Sequence, residues 1–506
     1  MDKLLYKTSN KKGNSNLLMA YPACKSFGLA SLGYLWLSKI ADEYENITSE
    51  RIYTDSIAAN ININNVDAIA FSMSFDFDFM GVFEILENLS INFLSKERAE
   101  QEPLVFAGGP VITTNPAPYT DIFDFMIIGD GETTFVKVLD ILAKNCSKKE
   151  TLSELATIDG VFVPSISCKV KKVTETLDKV IYTPIISDES YFKDTFIVEV
   201  SRGCMNRCAF CTASYSNLPY RNYEYSKIIE AIDFGLGYTN KIALLGAQIS
   251  AHPRFNDIMS YLYEKMQQGT NIELGISSLR TDSVTPELVR TLVLGGQKTS
   301  TIAIEAASER LRRFVNKNLT EKQILDAVKI CRENGLKGLK IYSMIGIPTE
   351  TDEDINEFIR LAKLIKSENK GFDITFSFSS FVPKPQTPLQ WTKRESTKTL
   401  EKKQKFLEKE LAKIGVSTKF SSMKWDYWQT VLSRGNATFA EFLLNVYKKG
   451  GKIGAYKSAI KELDIDISNA VEGFDIAKSL PWDFIETYLP KNLLVNEYSR
   501  LLKRSQ

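Results

Sequence analysis

From Leu17 onward, short runs of apolar residues alternate with longer stretches whose apolar positions recur every three or four residues. The runs LLMAYP, RIYTD, DAIAFSMS, PLVFAGG and DFMIIGD have the length and side chains of buried strands, and the segments between them have the helical period. Regular alternation of strand and helix predicts a parallel sheet with helices on both faces, because a parallel pair needs a crossover long enough to hold a helix. The turns after the runs carry small residues: Ala23 to Gly28, then Gly108, Gly109 and Pro110, then Gly129, Asp130, Gly131 and Glu132. At the carboxyl ends of parallel strands such turns leave room for a flat ligand or a phosphate against the backbone. An α/β, doubly wound, Rossmann-like domain is therefore expected over residues 1–146.

Residues 147–194 are polar with short alternating runs such as GVFVPSISCKVKKVT, and are expected to be a linker with a small β element. The strand and helix pattern resumes at TFIVEVSRGC and continues through KIALLGA, IELGISS, TSTIAIEA, LKIYSMIG and ITFSFSSF. Six strands with helical segments between them predict a partial (β/α)6 TIM-type barrel over residues 195–389. Beyond Pro383 to Pro388 the chain turns charged and helical, which predicts a C-terminal helical cap over residues 390–506, packed on the barrel. No repeat or low-complexity tract interrupts this order.

Composition narrows the chemistry. Lysine and arginine number 63 against 62 acids, so no net field draws the chain to nucleic acid or an anionic membrane. No apolar run reaches membrane-span length and the start is polar, so a cytoplasmic protein without a membrane span is expected. One histidine, His252, serves 506 residues, so histidine-based triads, zinc sites and proton relays must use it or be absent. Its own role, active-site proton transfer or loop packing, is open at this point.

Three of the seven cysteines crowd into SRGCMNRCAFC, spaced C-x3-C-x2-C, at the carboxyl end of the first barrel strand, where barrel active sites are built. Cys24, Cys146, Cys168 and Cys331 are scattered, which disfavours a disulfide framework. A structural zinc site wants four ligands. A [4Fe-4S] cluster held by three thiolates leaves one iron open to an exogenous ligand.

CMNRCAFC resembles the cluster motif of the radical SAM superfamily, in which the open iron chelates S-adenosylmethionine. The resemblance implies that Cys204, Cys208 and Cys211 ligate iron and that Phe210 lies against the adenine. It implies reductive cleavage of S-adenosylmethionine to a 5′-deoxyadenosyl radical, with an electron donor such as flavodoxin or ferredoxin. TSTIAIEAASERLRRFVNKNLT is similar to the fourth-strand segment, making Glu305 a candidate for the ribose hydroxyls, or a barrel-interior salt bridge, and Ser308 and Arg310 candidates for the methionyl carboxylate. KIYSMIGIPTETDEDI resembles the fifth-strand segment, whose backbone near Gly346 approaches adenine. Where the superfamily has Gly-Gly-Glu after the second strand, this chain has Gly246-Ala247-Gln248, and Gln248 offers an amide oxygen to the methionyl ammonium without a charge.

A doubly wound domain ahead of such a barrel resembles the cobalamin-binding-domain branch, and the order of YPACKSFGLASLGYLWL, FAGGP, GDGE, SSLRTDSVTPELV and WDYWQTVLSRGNATFAEFL resembles its YgiQ-like group. By that resemblance Ser72, Ser74, Gly108, Gly109, Gly129 and Gly131 hold the corrin. The usual Asp-x-His-x-x-Gly turn is replaced by residues 23–28, so cobalamin would bind without a histidine lower ligand, and Cys24 in that turn is either a ring or substrate contact or a buried bystander. A cobalamin-dependent C-methyltransferase follows as the leading expectation. The alternatives are a cobalamin-free rearrangement, epimerisation or oxidation enzyme, methylthiotransfer, and a non-catalytic iron-sulfur protein. The substrate is unspecified, no nucleic acid is expected, and Trp425 to Trp428 is either a stacking platform or cap packing.

Overall fold

The computed structural model describes residues 2–9, 13–57 and 61–504. Its first sheet contains β1 (Ser15–Tyr21), β2 (Ile47–Tyr53), β3 (Ala68–Ser72), β4 (Leu104–Gly108), β5 (Phe125–Ile127) and β6 (Val161–Phe162) in the order β2-β1-β3-β4-β5-β6. The first five are parallel and β6 is antiparallel to β5. Both faces are covered. Leu17 and Met19 of β1 pack toward α1 (Leu32–Glu43) and α3 (Glu132–Leu142), whereas Leu18 and Ala20 pack toward α2 (Phe79–Asn88). This is why the strands read as unbroken apolar runs. The order reverses between β1 and β3, so the carboxyl ends of these strands frame the crevice in which doubly wound sheets bind ligands.

The segment expected to be a linker is more structured than its polarity indicates. Residues 148–155 form α4, held by a capping box between Ser147 and Glu150, and β6 then closes the sheet edge. Farther on, Val170–Lys171 pairs with Ile485–Glu486, and Val173 bridges to Gly129. The alternation that marks a half-exposed strand is too short to register in pieces of two residues.

The second unit is an open barrel of parallel strands: β7 (Thr195–Glu199), β8 (Lys241–Leu245), β9 (Glu273–Ile276), β10 (Leu279–Arg280), β11 (Thr299–Glu305), β12 (Gly338–Ile345), β13 (Asp373–Ser380) and β14 (Ser417–Phe420). The ladder breaks at Ser277 and Ser278, between β9 and β10, and β7 and β14 are its two edges. All six expected strands form. The additions are β10, the two-residue strand Leu279–Arg280, and β14, from the region expected to be helical.

Helices α5 (Glu309–Phe314) and α6 (Asp352–Glu368) belong to the barrel, and α7 (Thr397–Ala412) packs Leu400, Leu407 and Leu411 into its core. Past that point the expected cap on the barrel needs correcting. Trp428 and Val431 of α8 (Met423–Ser433), with Phe442, Tyr456 and Trp482, complete the core of the first domain beside Phe71, Phe79 and Phe83. The last helix, α9 (Lys491–Arg504), buries Leu501 against Ala209 and Phe314, behind the cysteine loop. Amphipathic helices declare which face is buried and not what covers it. No helix among the described residues is long and apolar enough to cross a membrane.

Candidate active site

The cysteine loop leaves β7 through Gly203, whose φ of 74° suits glycine and whose Cβ would stand 2.3 Å from the Asn217 carbonyl oxygen. Cys204 and Cys208 are buried, Cys211 is half-buried, and all three are free thiols. Burial pushes the Cys208 thiol up to about 12, with the charge of Lys317 pulling the other way, and burial likewise raises Cys211. Iron must therefore displace protons as it binds. The turn after β8 closes on the loop: a Cβ on Gly246 would stand 2.8 Å from Ser201 Oγ. Cys204 Sγ lies 3.5 Å from Gln248 Oε1, which also accepts from Asn206 Nδ2. Phe210 packs with Ala209, Phe314 and Met344. Among the described residues no three Cys, His, Asp or Glu side chains converge on a point where one ion would sit. A four-iron cube meets each thiolate through a different iron, so the donor set suits a [4Fe-4S] cluster.

At the end of β11, Glu305 is buried with φ 67° at a register shift, and Lys317 Nζ lies 2.8 Å from its Oε1. The interior salt bridge is present. Ser308 and Arg310 bond to groups of the protein itself. Ser308 Oγ donates to Asp354 Oδ1 at 2.5 Å and caps α5 by accepting from Leu311 N, while Arg310 pairs with Asp354 and donates to the Thr349 carbonyl at 2.8 Å. Asp354 also completes the capping box of α6. Both side chains therefore tie α5 to α6. Gly346, at φ 77°, donates its N–H to Glu350 Oε1 at 2.8 Å.

Between the two sheets lies a cavity of about 550 Å³. Ser72, Ser74, Gly108, Gly109, Gly129 and Gly131 line it from the first domain, and Gly203, Thr212 and Gly246 from the barrel, so seven expected cofactor residues meet there. An apolar arm runs past Tyr34, Leu37, Phe106 and Phe135, between the sheet and α1 and α3. Gly109, at φ 106°, lets the turn press on Met73 O, which a Cβ would approach to 2.5 Å. The wall between domains is ionic. Arg202 holds Glu199 (3.0 Å), Asp130 (3.4 Å) and Glu132, and Arg221 holds Asp130 at 2.6 Å. Lys172 lines the same wall with its ammonium pulled down to about 8 by burial. Glu132 Oε2 and Ser216 Oγ are buried there without a partner, acceptors suited to the amide fringe of a corrin.

His252 packs a loop: Nε2 lies 2.8 Å from the Tyr223 carbonyl oxygen and Nδ1 accepts from Arg254 N at 3.1 Å, so both ring nitrogens are used. Cys24 lies 3.2 Å from Ser26 Oγ and outside the cavity, in a turn covered by residues 189–191. Trp428 is buried against Tyr456 and Trp425 meets Phe77 edge-on, which makes this stretch packing.

A doubly wound domain facing an open β/α barrel across a three-cysteine loop defines a class of cofactor-dependent radical enzymes. The chain belongs to the radical SAM superfamily: residues 36–164 match the family of radical SAM proteins, N-terminal, and residues 198–362 match the radical SAM superfamily itself. It is 28% identical over 435 residues to an uncharacterized protein of Methanocaldococcus jannaschii, covering 85% of this chain and 90% of that one. It is 24% identical to an uncharacterized methyltransferase of Pyrococcus horikoshii, covering 68% of this chain and 75% of the other. Its fold is shared, at a TM-score of 0.55 and 14% identity, by the cobalamin-dependent S-adenosylmethionine radical enzyme OxsB solved with aqua-cobalamin and S-adenosylmethionine, over 97% of this chain and 80% of OxsB.

Sequence reasoning missed Arg202, Glu132, Lys172 and Lys317. Arg202 was visible beside the cysteines, but its carboxylate Glu132 lies 70 residues earlier. Nothing local joins them.

Proposed function

We propose that this radical SAM enzyme is a cobalamin-dependent C-methyltransferase. The observation that carries this reading is the single crevice shared by the glycine turns of the first domain and the mouth of the barrel beside the cysteine loop. Cys204, Cys208 and Cys211 would hold the cluster, and the first-domain turns would hold cobalamin. These groups would supply methyl transfer and hydrogen abstraction: per turnover one S-adenosylmethionine would leave as S-adenosylhomocysteine and another as methionine and 5′-deoxyadenosine, with two electrons consumed. Both electrons would come from a reduced flavodoxin- or ferredoxin-type donor.

The chain's own residues orient and enclose. Gln248, fixed between Asn206 and Cys204, presents an amide at the open side of the cysteine loop. Glu305 is held at the end of β11 by Lys317 and would meet a ribose hydroxyl from there. Arg202 and Arg221 fasten the barrel to the turn at Asp130 and Glu132, keeping the two halves of the crevice in register and water out of the joint. The apolar arm accepts a flat, poorly hydrated group.

The test is a product analysis. Protein reconstituted anaerobically with iron, sulfide and hydroxocobalamin is incubated with S-adenosylmethionine and dithionite, with a corrin-free sample in parallel. S-adenosylhomocysteine beside 5′-deoxyadenosine, and only in the corrin-loaded sample, is the expected result. 5′-Deoxyadenosine alone in both samples would favour hydrogen abstraction without methyl transfer.

A further inference from the structure

Lys317 is a buried cation beside the cysteine loop that no expected role accounts for. It stands between two asparagines in the left-handed region, Asn316 at φ 57° and Asn318 at φ 51°, a conformation asparagine tolerates better than most residues. The loop is pinned on both sides of Cys208. Asn316 Nδ2 donates to the Arg207 carbonyl at 2.7 Å, and Ala209 N donates to the Val315 carbonyl at 2.9 Å. Arg280 Nη2 donates to the carbonyl of Lys317 itself at 3.0 Å. Lys317 is 7% exposed and Glu305, 2.8 Å away, is 9% exposed. The interactions of Lys317 with Glu305 and Cys208 outweigh burial and keep the ammonium charged.

A buried ion pair is an expensive way to join a strand end to a loop, since well-packed apolar residues of similar volume often serve as well or better. Its placement alongside Cys208 supplies a reason. Three thiolates bring negative charge into a buried loop, and the reduced state of a cluster adds one more negative charge to the same low-dielectric volume. We propose that Lys317, partly offset by Glu305, is a positioning residue that stabilises the reduced cluster on its Cys208 side and so raises its reduction potential. This rests on the cluster assignment at Cys204, Cys208 and Cys211. The effect is electrostatic, so the two members of the pair act with opposite sign: the ammonium favours the added electron and the carboxylate opposes it.

The experiment is an EPR-monitored redox titration of anaerobically reconstituted protein, with iron per chain counted first, for wild type, Lys317→Met, Lys317→Arg and Glu305→Gln. The midpoint potential is expected to move negative in Lys317→Met, positive in Glu305→Gln, and to stay near wild type in Lys317→Arg. Unchanged potentials in fully loaded Lys317→Met and Glu305→Gln, or shifts of the same sign in both, would overturn the inference. Should Lys317→Met lose its cluster, the near-isosteric Glu305→Gln decides alone, and absence of a positive shift there refutes the role. A wild type that assembles no cluster would instead refute the assignment on which the inference rests.

Discussion

At the scale of single residues, the grouping of the three cysteines was legible because they lie within one loop, whereas the partners of charged side chains were not. Ser308 and Arg310 illustrate the difference. The resemblance of their segment to the superfamily's fourth strand implied a ligand carboxylate, and the acid they meet in the structure is Asp354, 44 residues beyond Arg310. Burial alone would raise the Asp354 carboxyl, and the hydrogen bonds from Arg310 and Ser308 outweigh it, leaving it below the ordinary carboxylate range. A depressed carboxylate contributes stability that is fully present above the unfolded value of about 4 and is lost as pH falls through the folded value. Arg310→Ala is therefore expected to lower stability at pH 7 by about 1 kcal/mol, because its guanidinium is one-third exposed and screened. The loss shrinks toward zero in acid, and the apparent affinity for S-adenosylmethionine is unchanged. Denaturant unfolding at pH 7 and pH 3, with a binding isotherm, checks all three. A tenfold loss of affinity at unchanged stability would return Arg310 to the ligand.

Among elements, long strands were legible and short ones were not. β12 and β13 carry eight residues each, β12 mostly buried and β13 alternating regularly between buried and more exposed positions, and their apolar positions announce them. β6 has two residues and β14 four, fewer than one full alternation on each face needs, and both lie at sheet edges where one neighbour suffices. Turns were legible where glycine is obligatory. Gly109 begins the turn after β4 with φ 106°, and its missing side chain is what lets the backbone meet Met73 O. Gly109→Ala combines a left-handed alanine with that collision, so the turn has to move. The expected cost is about 1–3 kcal/mol, with corrin retention reduced several-fold while iron content stays at the wild-type level. Thermal unfolding with iron and corrin quantification reads each separately. Equal loss of iron would show that the turn also supports the cysteine loop.

At the scale of the whole molecule, the order of units was legible and their contacts were not. The first domain is finished by the end of the chain: Asn115 Nδ2 donates to the carbonyls of Ser433 (3.1 Å) and Gly435 (2.9 Å), and Gln386 Nε2 donates to those of Thr113 (2.8 Å) and Thr114 (2.9 Å). Such contacts join residues about 270 to 320 positions apart, and no local pattern encodes them. Their result is that the glycine turns of the first domain, the ionic wall at Arg202 and the residues flanking the cysteine loop, Gly203 and Thr212, line one crevice. The central claim is that this crevice is a cobalamin site beside a cluster. It is tested most directly by anaerobic reconstitution with hydroxocobalamin, extensive desalting, and quantification of corrin against protein by visible spectrum. The account predicts stoichiometric corrin retained with a full iron load; a fully loaded iron-sulfur protein that releases all its corrin would contradict it.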